Sequence, residues 1–220
     1  MDEWGLLGCG WGDTIVSMSN AKKKNIRKIL YVGSFPEIVD FLKAQDFIDE
    51  VEHVPYSPKD DGYWLFFFHL SIRKDPDKVL ADFIESRKLG DHRKYVNLQL
   101  NFGGGDELEL FEDFNFSQRA KREANKIEKE YNLKDFILFQ PVSLHSTPAE
   151  NFYPYWDIIF KKTVEMYPDN QIVLIGQTNS KIETKHNHFI DLRNKFSTAE
   201  SIGYLLRKAK LVITLPNNSI

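Results

Sequence analysis

Blocks of apolar residues separated by polar turns run along the whole chain, and they read most plainly between Phe136 and Asn218. Phe136 to Gln140 is a short run of strand formers closed by Pro141. Trp156 to Tyr167 then places Ile158, Ile159, Phe160, Val164 and Met166 at spacings that suit a buried helical stripe. Pro168, Asp169 and Asn170 end that helix, and Gln171 to Gly176 is a second apolar strand. His188 to Leu192 adds a short edge segment. Ser197 and Thr198 cap a helix whose apolar face is Ile202, Leu205, Leu206 and Ala209, and Leu211 to Thr214 is the last strand. Strands apolar on both faces, alternating with amphipathic helices, predict a parallel sheet covered by helices and joined by right-handed crossovers. The fold class is α/β.

The amino-terminal half carries the same pattern less plainly. Trp4 to Gly8 is a brief strand, followed by a glycine-rich turn and a helix from about Thr14. Lys28 to Val32 is a second strand leading to Pro36 at a helix start, and Ile38, Val39, Leu42 and Phe47 supply the buried face of the segment that follows. Val51 to Val54 is a third strand. Between Asp60 and Gly105 the sequence suggests an aromatic strand (Tyr63 to Phe68), a helix near Pro76 to Lys88, and an alternating strand from Tyr95 to Phe102. Ser117 to Tyr131 is a charged helix with a narrow seam of Ala120, Ala124 and Ile127. Asn132 to Asp135 links it to the second half, which sets the expected domains at 1–132 and 133–220.

Composition narrows the function classes. The 220 residues carry a net charge of -3, and the basic residues of the Ser117 helix are matched by Glu123, Glu128 and Glu130, so nucleic acid is not an expected partner. A lone cysteine, Cys9, makes no internal disulfide and no cysteine-rich metal site, and the six histidines show no ligand spacing. No apolar run reaches the roughly 18 residues of a membrane span. Acidic Asp2 and Glu3 stand where a secretory leader has basic residues. The expectation is a cytoplasmic protein without a metal or other cofactor.

Candidate chemistry gathers at strand ends. Gly5, Gly8, Gly10 and Gly12 surround the first strand-to-helix turn, where positive φ and close backbone approach serve ligand-cradling loops. Asp13 follows, either as a helix N-cap or as a carboxylate at the carboxyl edge of a sheet, where open α/β folds place ligands. A nicotinamide-binding turn would need an acidic residue at the end of the second strand, and Ile29 to Ser34 offers none. Gly103 to Gly105 lacks the Lys-Ser/Thr pair of a phosphate loop. Ser143, Ser146 and Thr147 lie between a strand and a helix, where hydroxyls and backbone N–H groups bind phosphate or simply form a turn. Thr214, Asn217 and Asn218 end the last strand, and Phe196 precedes the Ser197–Thr198 cap as a candidate hydrophobic staple.

Two stretches together resemble the heptosyltransferases of glycosyltransferase family 9, sugar-nucleotide-dependent enzymes of the GT-B fold. The first is the turn Gly10-Trp-Gly-Asp-Thr-Ile-Val-Ser17. The second runs from Ile137 to Ser219, with Pro141-Val142-Ser143, Leu174-Ile175-Gly176, the helix after Ser197 and Leu211 to Thr214 in the family's order. The resemblance implies two Rossmann-like units facing a cleft, an acceptor-side unit and a donor-nucleotide unit, the second incomplete. It implies metal-independent, inverting transfer of a sugar from a nucleotide-diphosphate donor to a glycan or other hydroxyl acceptor, with Asp13 as general base. Ser143, Ser146, Thr147, Thr214, Asn217 and Asn218 then contact the donor, and Phe196 packs on its base. Val142 replaces the glycine of the family's first donor loop, and Glu150-Asn151 stand where it has a basic residue. A GT-B relic that holds a nucleotide or partner without chemistry is the alternative. An incomplete second unit also implies an apolar edge near Leu211 to Ile220 and self-association through it.

Overall fold

The computed structural model describes residues 2–8, 10–55, 85, 93–98, 114–140, 155–176 and 189–214, with the backbone alone at 2, 13, 93 and 97. The chain forms two compact units, Met1–Ser117 and Gln118–Ile220. The first contains β1 (Asp2–Gly8), α1 (Trp11–Lys23), β2 (Lys28–Gly33), α2 (Pro36–Lys43), β3 (Glu50–Pro55) and β4 (Arg93–Asn97). The second contains α3 (Gln118–Glu130), β5 (Ile137–Gln140), α4 (Trp156–Met166), β6 (Ile172–Leu174), β7 (Phe189–Asp191), α5 (Ala199–Leu206) and β8 (Leu211–Thr214). The aromatic strand and the Pro76 helix expected from sequence lie outside the described residues, apart from helical Glu85.

Both sheets are wholly parallel and share one strand order. The first runs β3-β2-β1-β4 and the second β7-β6-β5-β8. Each begins on a central strand, adds two strands to one side, then crosses to the other side for the fourth. Leu6 stands opposite Leu30 and Asn97 in the first sheet, and Leu138 opposite Val173 and Val212 in the second. Parallel strands need both faces covered, and the sequence supplies the means. In β5, Leu138 packs with Ile127 and Leu205 on the α3/α5 face, while Ile137 and Phe139 pack with Trp156 and Phe160 on the α4 face. Each such fully buried apolar side chain contributes roughly 1.5–3 kcal/mol.

In the first unit, Leu7, Ile29 and Tyr31 face Met18 and Ala21 of α1 and Ile38, Phe41 and Leu42 of α2. Gly5 is a packing residue rather than part of a ligand turn. A Cβ there would lie 2.4 Å from Leu98 Cδ1 and 2.9 Å from Ile26 Cγ2. Buried Gln45 then fastens the end of this unit. Its Nε2 donates to Phe41 O at 2.6 Å and Asn115 O at 2.7 Å, and its Oε1 accepts from Asn115 N at 3.1 Å.

Two sequence expectations shift. The division between units precedes α3, whereas the sequence placed it after that helix. Ala120, Ala124 and Ile127 are buried, and Lys208 Nζ of the second unit donates to Asn125 Oδ1 at 2.8 Å and pairs with Glu128 at 2.5 Å. The buried stripe of α4 is also different. Trp156, Phe160 and Thr163 face inward, while Ile158 and Met166 are 56% and 69% exposed. Spacings of four and three residues keep one helical face, which Ile158 leaves.

Candidate functional site

In open parallel sheets, ligands bind beyond the carboxyl ends of the strands where the strand order reverses. Each unit has one such point, between β1 and β4 in the first and between β5 and β8 in the second.

At the first, β1 ends at Gly8 and α1 begins at Trp11, so the helix starts three residues earlier than the sequence suggested. Its N-cap is Gly10, with φ -93° and ψ -166° and no side-chain cap. Asp13 is therefore the third residue of the helix and not its cap, and Gly12 is the second. The φ of Gly10 is open to any residue. A Cβ at Gly10 would meet nothing within 4 Å among the described residues. Neither its backbone conformation nor its packing against them requires glycine there. Trp11 anchors the turn by packing edge-on against Phe41, with ring centroids 5.4 Å apart, and Thr14 Oγ1 donates back to Gly10 O at 2.8 Å.

At the second point, Gln140 and Thr214 are register partners at the carboxyl ends of β5 and β8. Thr214 is exposed. Gln140 is 8% exposed, and its Oε1 is buried with no hydrogen-bond partner among the described residues. Phe196 is half-buried against the cluster that contains Phe136, Leu138 and Leu205. Ser143, Ser146, Thr147, Asn217 and Asn218 lie outside the described residues, as does the side chain of Asp13. The structure thus groups Gly10, Gly12 and the backbone of Asp13 in one unit, and Phe196 and Thr214 in the other.

The segment holding Phe196 is pinned by a carboxylate. Glu123 of α3 accepts from Ser197 N at 2.7 Å and from the Ser201 hydroxyl, while Thr198 Oγ1 caps α5 by accepting from Ser201 N at 3.2 Å. Burial alone would raise the Glu123 pKa. The Ser201 hydroxyl, the Ser197 N–H and hydroxyl, and the charge of Arg119 together outweigh it and hold the carboxyl below its ordinary value. The amino end of α5 therefore already carries an anion from its own chain, which disfavours a ligand phosphate there. At the end of β7, Arg193 lowers the Asp191 carboxyl through a side-chain hydrogen bond, and the two form an ion pair at 2.5 Å. Among the described residues, no group of three His, Cys, Asp or Glu is placed to hold a metal, and no helix is long and apolar enough to cross a membrane.

Sequence reasoning missed Gln140 and Glu123. Gln140 had a signal, being the one polar residue of the run Phe136 to Gln140. Glu123 had none, because it sits among many charges on a solvated helix.

No model of a protein family matches the chain, and no curated protein matches it in sequence. Solved structures do. The glycosyl transferase family 9 protein from Veillonella parvula DSM 2008 matches with a TM-score of 0.60 at 12% identity, over 97% of this chain and 75% of that one. The fold is GT-B-like. E. coli ADP-heptose lps heptosyltransferase II matches with a TM-score of 0.53 at 11% identity, over 96% of this chain and 78% of that one. The GT-B-like likeness covers nearly the whole chain, whereas the sequence motifs covered the first turn and the stretch from Ile137 onward. It is a likeness of fold, and within it the two reversal points described above are where a GT-B-like chain has room for ligands.

Proposed function

We propose that this chain is a glycosyltransferase that moves a sugar from a nucleotide-diphosphate donor to a glycan or other hydroxyl acceptor. The observation that carries this reading is the fold match, over 96–97% of the chain, to a glycosyl transferase of family 9 and an ADP-heptose heptosyltransferase. The first unit takes the acceptor. Asp13, freed from the capping role, removes the acceptor proton as the anomeric carbon is attacked and the nucleoside diphosphate leaves, in a metal-independent inverting displacement. The open space over Gly10 supports close approach of a substrate to this turn. The second unit takes the donor, with Ser143, Ser146 and Thr147 after β5, Thr214, Asn217 and Asn218 after β8, and Phe196 beside the base. Such chemistry suits a cytoplasmic enzyme. Self-association through the edge strand β8, where Leu211 is 37% exposed, belongs to the same proposal.

Calorimetric titration with ADP- and UDP-sugars, with NADH as the contrast, tests the donor reading. Transfer assays with the sugar that binds test the chemistry. Heat from NADH alone would refute the proposal. Donor binding without transfer to any hydroxyl acceptor favours the non-catalytic reading, which Glu150-Asn151 at the first donor loop already motivates.

A further inference from the structure

Gln140 is an anomaly inside the second unit. Buried amide oxygens are almost always paired, because a desolvated acceptor without a donor is costly. Gln140 is 8% exposed, and its Oε1 has no partner among the described residues. Ser17 Oγ and Tyr95 Oη share that condition, but Ser17 lies within α1 and Tyr95 in the middle of β4. Gln140, by contrast, ends a strand at a reversal of strand order, opposite Thr214 of β8.

Its direction follows from strand alternation. Phe136 and Leu138 belong to the α3/α5 face, and Ile137 and Phe139 to the α4 face. Gln140 therefore points to the α3/α5 face, one step nearer the carboxyl edge than Leu138. Phe196 packs against the cluster on that same face. The face so carries an aromatic ring and, at its ligand-side end, an amide with unused hydrogen-bonding capacity.

We propose that Gln140 determines base specificity in the donor site, its amide pairing with the edge of the nucleobase. This rests on the nucleotide-sugar reading above. A carboxamide presents one acceptor and one donor group side by side, and base edges present the matching pair, as adenine does with N6–H and N7. A phosphate offers acceptors only and leaves the Oε1 unpaired. The anion at the head of α5, supplied by Glu123, further favours a neutral base over a phosphate on this face.

The test uses the full chain and three probes: ADP, UDP and inosine diphosphate. Calorimetry gives their affinities for wild type and for Gln140→Met and Gln140→Leu, which keep the volume and remove the amide. The preferred nucleotide should weaken by about 10- to 100-fold and the other two less, so that discrimination narrows. Melting temperatures should stay level or rise, since an unpaired buried amide has been removed. Equal weakening of all three nucleotides, unchanged affinities, or a lower melting temperature with unchanged affinities would each overturn the assignment. A wild type that binds none of the three removes the donor reading itself, and this proposal with it.

Discussion

Replacing Glu123 tests how the segment before α5 is held. Its Oε1 accepts from Ser197 N at 2.7 Å and its other oxygen accepts from the Ser201 hydroxyl. Hydrogen bonds to a charged group contribute about 1.5–3 kcal/mol each, but the two do not add in full here. Ser197 is exposed, so its N–H regains water in Glu123→Ala. Ser201 is fully buried, yet its hydroxyl keeps Thr198 Oγ1 at 2.7 Å. Loss of the anion from the amino end of the α5 dipole adds a few tenths of a kcal/mol. The second unit should therefore lose about 2 kcal/mol in Glu123→Ala, and about 1 kcal/mol in Glu123→Gln, which keeps one acceptor. Urea titration followed by circular dichroism measures the loss. Amide exchange at Ser201 and its neighbours assigns it to the right unit, because two compact units need not unfold together. A cycle with Ser201→Ala should return a coupling of about 1 kcal/mol. Glu123→Ala within about 0.5 kcal/mol of wild type would place it among ordinary surface substitutions and refute the reasoning.

Three further outcomes are expected, the first from the proposed function and the other two from the structure. Asp13→Asn should lower transfer by roughly 10²–10⁴-fold with donor affinity nearly intact; near-normal turnover removes Asp13 from the mechanism. Gly33→Ala should cost about 1–3 kcal/mol in the first unit, since its Cβ would meet the ring of fully buried Tyr31, the Cζ at 2.4 Å. An unchanged melting temperature would show that the Tyr31 ring moves freely. Glu123 and Asp191 sit below their ordinary values of 4.5 and 3.8, so their stabilisation is complete above those values and is lost as pH falls through the lower, folded values. Stability of the second unit that rises between about pH 5 and pH 3 contradicts this.

The sheets were legible because a parallel strand must be apolar on both faces, a demand written directly into Ile29 to Val32 and Ile137 to Phe139. Helix seams were legible where the residues are small and few, as in Ala120, Ala124 and Ile127. They failed where hydrophobic residues exceed one face. In α4 the choice between Ile158 and Thr163 depends on which residues the sheet touches, and periodicity alone does not supply that. The unit boundary differs for a similar reason. The sequence took Asn132 to Asp135 as the link after a solvated helix, and it is the packing of that helix on the second unit that groups it there. The sequence offered a candidate site at strand ends flanked by glycine, serine and asparagine. The contact of Glu123 with Ser197 was not legible, because it crosses a long gap in sequence.

The two units use one topology with opposite furnishing at the point that matters. In each, the first strand of the sheet is flanked by the second and the fourth, so both leave the same kind of crevice beyond its carboxyl end. In the first unit that strand ends in Gly8, and the turn continues through Gly10, over which the described residues leave open space. Asp13 follows in the first turn of α1, and in the proposed function it is the group that meets the acceptor. In the second unit the same strand ends in Gln140, a buried amide with an unspent acceptor. A glycine-rich turn followed by a carboxylate suits a hydroxyl that must come close and give up a proton. A desolvated amide suits a ligand held by the pattern of its edge, because a wrong partner leaves that amide unpaired and is penalised. Under the proposed function, the shared topology serves two ends, reaction beside Asp13 in the first unit and recognition beside Gln140 in the second.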